Sequence, residues 1–145
     1  MRQTFGETRS AFADKHAVIS PDSHEQVTLP HWPGCTLVHL ITPALGAEFT
    51  FFLVRSQQET RIGAARADVE RFVLHRAGGV AIDLDGAGPA DLPHEGYAFL
   101  PAGCQHALTL GAGSEILVLE RRYRPMEGTP PPAPVVSSIP QVTTG

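Results

Sequence analysis

The sequence is poor in lysine and in clustered positive charge. Lys15 is its single lysine, and no run of basic residues is longer than the pair Arg121 and Arg122 in a chain of 145 residues with a formal net charge of -4. A nucleic-acid surface needs clustered Lys and Arg side chains to neutralise phosphates. The composition therefore excludes nucleic acid as the main partner.

Long hydrophobic runs are also missing, and cysteines are few. No apolar run approaches the roughly 20 residues that a bilayer span requires, and the polar start of the chain does not lead into the apolar region of a signal peptide. We expect no membrane partner and a soluble cytoplasmic protein. Cys35 and Cys104 are too few for a disulfide scaffold or a thiolate zinc site, and the sequence leaves open whether they matter.

Helical periodicity is almost absent, and short apolar segments with period two recur instead. We predict strands at 35–42, 48–54, 69–75, 80–84, 97–100, 106–110 and 115–123. Short strands at spacings of roughly 8–12 residues indicate a sandwich, jelly roll or barrel, and the length fits a single domain. The predicted core residues are Phe49, Phe51, Leu53, Phe72, Leu74, Val80, Ile82, Phe99, Leu108 and Val118.

Two segments differ in composition from this all-β body. Residues 1–16 are polar and predict an N-terminal arm, which leaves 17–124 for the barrel. Residues 125–145 contain six of the 13 prolines. Because proline has no backbone N–H to donate to a sheet, this segment is predicted to be an extended linker or tail.

The most specific motif is Pro-Ala-Gly-Cys-Gln-His at 101–106, between two predicted strands. It resembles the second signature motif of the cupin family, whose histidine points into the barrel as a metal ligand. Glu70 followed by a strand and Gly78 resembles the second half of the first cupin motif. The His-x-His half should fall near 63–66, where the chain reads Gly-Ala-Ala-Arg. The resemblance implies a cupin double-stranded β-helix.

Only Glu70 and His106 occupy ligand-like positions, whereas transition-metal sites use three or four convergent ligands. We predict that Glu70 and His106 lie together inside the barrel as pocket residues and hold no metal tightly. In the plainer interpretation, His106 is hydrogen-bonded to Glu70 or to a backbone carbonyl, and Glu70 pairs with Arg66 or Arg76. No catalytic residue is assigned.

Two further motifs carry weaker signals. Cys104 is two residues from His106, but no third group is visible to orient such a pair, so a packed or exposed thiol is expected. Trp32, Pro33 and Gly34 directly precede the first predicted strand and indicate a packed corner.

Several segments resemble one branch of the cupins, the bicupin (S)-ureidoglycine aminohydrolases. The similar segments are 6–10, 16–21, 32–34 and 120–128, in the order and spacing of the first cupin half. The resemblance implies a role in ureide and allantoin catabolism, where family members release ammonia from ureidoglycine. It also implies that manganese is held by the second cupin, so no cofactor is expected in this domain. No residue matches a metal ligand or catalytic residue of the family.

Two functions stay open at this point, and so does the question of whether the chain is itself an enzyme. It could be one half of a ureidoglycine aminohydrolase, providing scaffold and part of the pocket wall. It could instead be a stand-alone, metal-free cupin that binds a small ligand or dimerises. An independent metal-dependent oxygenase or isomerase is disfavoured by the missing ligands. The expected partner is a second copy or a companion cupin domain, docked on 36–41 and 116–119.

Overall fold

The computed structural model describes residues 9–142 and shows an all-β fold. Its strands in chain order are β1 Ala11–Phe12, β2 Ala17–Val18, β3 Gln26–Val27, β4 Cys35–Ile41, β5 Thr50–Ser56, β6 Thr60–Ile62, β7 Val69–Ala77, β8 Val80–Leu84, β9 Pro89–Leu92, β10 Gly96–Leu100, β11 His106–Leu110, β12 Glu115–Arg122 and β13 Val135–Ser138. Three single turns of 3-10 helix lie at Pro21–Ser23, Pro43–Leu45 and Ile139–Gln141. Within residues 9–142, no helix has the length and apolar character needed to cross a membrane.

Two antiparallel sheets form the body of the molecule. The larger has seven strands in the order β13-β10-β7-β12-β5-β4-β3, and the smaller has four in the order β6-β11-β8-β9. β1 and β2 form a separate two-stranded hairpin. From β5 to β8 and again from β9 to β12, each strand is in the other sheet from the strand before it, as in a jelly roll. The all-β prediction is confirmed, and each of the seven predicted strands is present with ends shifted by at most two residues.

The hydrophobic core lies between the two sheets. The larger sheet contributes Leu37, Val54, Val73 and Val118, and the smaller sheet contributes Ile82, Leu108 and Leu110 among others. Each of these side chains is at most 3% exposed. Burial of this kind contributes about 25 cal/mol for each Å² of apolar surface removed from water.

Part of the predicted core faces the other way. Val80, Ile82, Leu108 and Val118 belong to the core as predicted, but Phe49, Phe51, Phe72, Leu74 and Phe99 are only half-buried and lie outside it. Successive side chains of a strand point to opposite faces. Because Phe52 and Val73 face the core, their neighbours Phe51 and Phe72 must face outward. We call this side of the seven-stranded sheet the outer face.

The N-terminal segment crosses one end of the outer face. Ala17, Ile19 and Pro21 line a groove together with Phe51 and Leu53, and Leu53 is 7% exposed there although it lies outside the core cluster. The β1–β2 hairpin pairs Ala11 with Val18 and so runs across the boundary predicted at residue 16. Residues 1–8 of the predicted arm lie outside the described residues.

The C-terminal segment corrects one prediction. The tail was expected to make no sheet ladder, but β13 pairs antiparallel with β10, from Gly96 opposite Ser138 to Phe99 opposite Val135. The prolines cluster just before this strand and at Pro140 just after it, whereas Val-Val-Ser-Ser itself is free of proline. An edge strand needs partners on one side only, which makes such a short segment sufficient.

Candidate functional site

A buried arginine stands at the centre of the candidate site. Arg71 is on β7 and faces the space between the sheets, where its side chain is 3% exposed. Its Nε–H donates to Glu120 Oε1 at 2.7 Å, and its Nη1 donates to the Gly63 carbonyl at 3.0 Å. Glu120 is directly opposite Arg71 in the β7–β12 ladder. The strand register therefore places the carboxylate beside the guanidinium.

His106 meets the same guanidinium from the opposite sheet. It is the first residue of β11 and is 8% exposed. Its Nδ1 lies 3.0 Å from the carbonyl oxygen of Cys104, and its Nε2 lies 3.1 Å from Arg71 Nη1. A carbonyl can only accept and a guanidinium can only donate, so Nδ1 carries the proton and Nε2 is the acceptor. This assigns the neutral Nδ1–H tautomer.

The electrostatics of the site agree with that tautomer. Burial lowers the pKa of His106 below its ordinary 6.5, and the neighbouring charge of Arg71 lowers it further. The hydrogen bond to Cys104 and the charge of Glu120 act in the opposite direction but are smaller. A neutral imidazole beside a guanidinium leaves Arg71 and Glu120 as the charged pair of the cluster.

Trp32 forms the other wall of the Arg71 site. The Arg71 guanidinium carbon is 5.1 Å from the centre of the Trp32 ring, within the range of a cation–π contact. The ring also packs edge-on against Phe52, with centroids 5.5 Å apart. Trp32 is 1% exposed, in agreement with the packed corner expected from the sequence. Its indole Nε1 is the single fully enclosed side-chain polar atom within residues 9–142 that lacks a hydrogen-bond partner.

A cavity of about 550 Å³ opens beside this cluster. Arg71 and Glu120 line it together with the loop at Gly63, and Arg66 and His31 stand among its other lining residues. The remaining lining residues are Pro33, Ala64, Ala65 and Val69. Its volume is within the range of small-molecule pockets.

The other predicted pocket residue, Glu70, is elsewhere. It precedes Arg71 on β7 and so points to the outer face, where it forms an ion pair with Arg121 and lines a groove with Phe72 and Phe99. The prediction that Glu70 and His106 lie together inside the barrel is therefore wrong, as is the suggested pairing of Glu70 with Arg66 or Arg76. His106 does bond to a backbone carbonyl, as its plainer interpretation expected.

The remaining histidines do not complete a metal site. His75 is buried, and both of its ring nitrogens lie 2.8 Å from backbone carbonyl oxygens, those of Leu92 and Pro93 on one side and of Gly78 on the other. His94 contacts the His75 ring, and His39 contacts Phe52. Among residues 9–142, no three His, Cys, Asp or Glu side chains are grouped so that they could hold a metal ion.

The residues beside the cavity do not fit a manganese ion. His106 Nε2 and Glu120 Oε1 are of ligand type, but both accept hydrogen bonds from Arg71. A divalent cation there would stand beside a buried guanidinium. At an effective dielectric constant of 20 and a separation of 4 Å, the repulsion would be on the order of 8 kcal/mol, twice the value for two unit charges.

The cysteines offer no activated nucleophile. Burial raises the pKa of Cys104, and the nearby charge of Asp85 raises it further. Burial also raises the pKa of Cys35. Both cysteines are free thiols, and the Cys104 thiol faces the Gln105 carbonyl at 3.8 Å, with no hydrogen bond to His106. A raised pKa keeps the thiol protonated at neutral pH, which makes it a poor nucleophile.

Sequence comparison identifies curated relatives of this chain. The chain is 33% identical to (S)-ureidoglycine aminohydrolase from Arabidopsis thaliana over 118 residues, which are 81% of this chain and 40% of that protein. It spans less than half the length of each curated relative that it matches. No protein-family model matches the chain.

Structure comparison gives the same relationship at the level of the fold. The crystal structure of protein YlbA from Escherichia coli superposes with a TM-score of 0.83 and 25% sequence identity, covering 94% of this chain and 58% of that one. An RmlC-like cupin from Shewanella frigidimarina superposes with a TM-score of 0.59 and 13% identity, covering 73% of this chain and 90% of that one. The second likeness shows the fold alone.

Proposed function

The chain is a cupin related to one half of the (S)-ureidoglycine aminohydrolases, and we propose that it acts as a cupin half that holds no metal of its own. In this role it provides scaffold and part of a pocket wall, while a companion cupin supplies the metal-dependent release of ammonia from ureidoglycine. The function belongs to ureide catabolism in the cytoplasm. The observation that carries the proposal is the Arg71 guanidinium, which engages two side chains of ligand type, Glu120 and His106.

The arrangement of Arg71 supports a stable structural role for the cluster. A buried charge requires a partner and hydrogen bonds to offset its desolvation. Glu120 supplies the opposite charge, and the Gly63 carbonyl and His106 Nε2 accept two further hydrogen bonds. The guanidinium thereby links the two sheets at the position where the second cupin motif presents its histidine. Exchanging it for a metal ion would require Arg71 to leave this network.

A chimera tests this proposal. The region of the Arabidopsis relative that matches this chain is replaced by the chain, and ammonia release from ureidoglycine is measured with manganese present. We expect the chimera to be active and the chain alone to be inactive. Ammonia release by the chain alone, dependent on manganese, would contradict the proposal, and so would an inactive chimera that is folded and loaded with manganese.

The outer face supports a second candidate function, self-association. Phe72 and Phe99 line a groove with Phe49 and Leu119, and the rings of Phe72 and Tyr97 stack at 5.8 Å. Clustered aromatic side chains that stay partly exposed are characteristic of interfaces. We propose that a second copy docks here with two-fold symmetry and buries more than about 1,000 Å² in total. This refines the predicted contact strands, because Leu117 and Leu119 of β12 face outward while Ile116 and Val118 belong to the core.

Light scattering at micromolar concentration tests the dimer. We expect a mass near twice the chain mass of 15.5 kDa. Phe72→Glu should give a monomer because it places a charge in the apolar groove. Thr109→Glu is a matched control on the four-stranded sheet and should remain dimeric. A wild-type mass near 15.5 kDa would refute the dimer without affecting the chimera experiment.

A further inference from the structure

The Arg71 guanidinium has hydrogen-bonding capacity that the fold does not use. Its Nε–H is bonded to Glu120, and its Nη1 is bonded to Gly63 and His106. Nη2 makes no hydrogen bond to any residue in the described part of the chain. Nη2 also keeps some solvent-accessible surface, because Trp32 Nε1 is the single fully enclosed side-chain polar atom there that lacks a hydrogen-bond partner. Nη2 is therefore an unused donor with some accessible surface, although Arg71 as a whole is 3% exposed.

Arg71 borders two open spaces, the 550 Å³ cavity and the groove with Phe72 and Phe99 on the outer face. Nη1 is bonded to the carbonyl of Gly63, which is itself a lining residue, so the guanidinium stands at the cavity wall. Glu120 is a second lining residue, and its Oε2 accepts no hydrogen bond within residues 9–142 while its side chain is 21% exposed. A pair of free donors therefore lies beside a free acceptor.

The charged residues that line the cavity indicate the charge of the ligand that it would bind. Arg71 and Arg66 are positive and Glu120 is the one negative group among the lining residues, which leaves a net positive wall. Arg66 is 75% exposed and pairs at 3.3 Å with Asp68, which is not part of the lining. A monoanion complements this charge, and a planar carboxylate matches a guanidinium edge.

We propose that this cavity binds a small carboxylate that also carries an N–H donor. The carboxylate accepts from Arg71 Nη2 and is attracted by Arg66, and the N–H group donates to Glu120 Oε2. This site goes beyond the proposed function, because a metal-free cupin half requires no ligand in its own barrel.

Trp32 provides the readout for a binding experiment. It is the only tryptophan of the 145 residues and its ring lies 5.1 Å from the guanidinium carbon, so a ligand on Arg71 should change its fluorescence. The full chain is titrated with N-carbamoylglycine, with acetate and with the neutral N-carbamoylglycinamide, and calorimetry confirms each affinity. We expect saturation by N-carbamoylglycine below ~10 mM, with acetate and the amide at least about fivefold weaker.

Two variants and a control locate the site. Arg71→Lys keeps the charge but loses the planar fork and should weaken binding about tenfold or more. Arg66→Ala changes an exposed side chain, so folding is not at risk, and it should weaken N-carbamoylglycine about threefold. Arg61→Ala is the control, because Arg61 is exposed, pairs with Asp83 and does not line the cavity. It should bind as the wild type does.

Three results would overturn this proposal. The first is no saturation by N-carbamoylglycine up to ~10 mM. The second is acetate binding as tightly as N-carbamoylglycine. The third is an affinity for N-carbamoylglycine that is unchanged both in Arg66→Ala and in a folded Arg71→Lys. If Arg71→Lys does not fold, the ligand series and Arg66→Ala decide the question. A failure here leaves the chimera experiment unaffected, because ammonia release by the companion cupin does not depend on ligand bound in this half.

Discussion

The role of Arg71 in holding the two sheets together can be tested by Arg71→Met. Methionine retains much of the side-chain volume and removes the charge, so the packing against Trp32 changes little while the hydrogen bonds are lost. Glu120 would then lie 21% exposed without its counter-charge, and His106 Nε2 would lose its donor.

The size of the effect follows from the contacts that disappear. The charge-assisted bond to Glu120 contributes about 1.5–3 kcal/mol, and the contact over Trp32 contributes about 0.5–2 kcal/mol. Removing one member of a buried pair costs roughly 3–5 kcal/mol. Because Glu120 can recover part of its hydration, we expect a loss near the lower end, about 3 kcal/mol. At about 2–4 °C per kcal/mol, the melting temperature should fall by ~10 °C.

Urea unfolding and thermal melting measure this loss, and a double-mutant cycle assigns it to the ion pair. Glu120→Gln and the double variant Arg71→Met/Glu120→Gln complete the cycle, and we expect the two changes to be non-additive by about 1–3 kcal/mol. Arg61→Met is the control for a surface ion pair and should cost less than about 1 kcal/mol. A loss below about 1 kcal/mol for Arg71→Met, or strict additivity, would refute the reasoning.

Three further predictions concern His106, the β7–β8 turn and β13. Burial, and to a smaller extent the charge of Arg71, lowers the pKa of His106 below 6.5. The unfolded chain therefore binds the proton more tightly than the folded one. The free energy of unfolding should then decline as the pH falls from about 6.5 towards the lower folded pKa. His106→Asn should flatten this part of the pH profile of the unfolding free energy, and an unchanged slope would contradict it. Gly78→Ala should destabilise by more than about 2 kcal/mol, since φ is +79° and a Cβ would lie 2.6 Å from Ser114 Cα. In the control Gly86→Ala, φ is +73° with nothing within 4 Å, so about 1 kcal/mol should be lost, and equal losses in the two variants would refute the steric argument. Deleting residues 135–145 removes one of the two strands that pair with β10 and leaves β7, so the amide hydrogens of β10 that face β13 should exchange faster, and unchanged protection would show that β13 contributes nothing.

The strand positions could be predicted from the sequence, but the facing of the strands could not. In β7, Phe72 and Leu74 alternate with Arg71, Val73 and His75, so both faces carry apolar residues. Hydrophobic alternation identifies a buried face only where the other face is polar. Here the outer face is also apolar, and the larger aromatic side chains were assigned to the core. That assignment places Glu70 inside the barrel and Arg71 outside it. The sequence prediction therefore does not include Arg71, the residue that contacts His106.

The Arg71 cluster depends on contacts that a single sequence does not reveal. Arg71 and Glu120 are 49 positions apart and meet because β7 and β12 pair in one particular register. His106 can be identified because its motif is contiguous in the sequence, and such a motif is recognisable without knowing which strands pair. The C-terminal strand was missed for a related reason. The high proline content of residues 125–145 predicts no strand there, but the prolines lie on either side of Val135–Ser138, which contains none.

Metal analysis of the purified full chain tests the central claim most directly. The chain is produced with excess manganese in the medium, passed through a desalting column, and analysed for manganese, iron, zinc and nickel. With the Arg71 guanidinium bonded to His106 Nε2 and Glu120 Oε1, we predict far less than one equivalent of any of these metals. Arg71→Glu would add a carboxylate beside these two groups and should raise the bound metal. Close to one equivalent of a single metal in the wild-type chain would contradict the account.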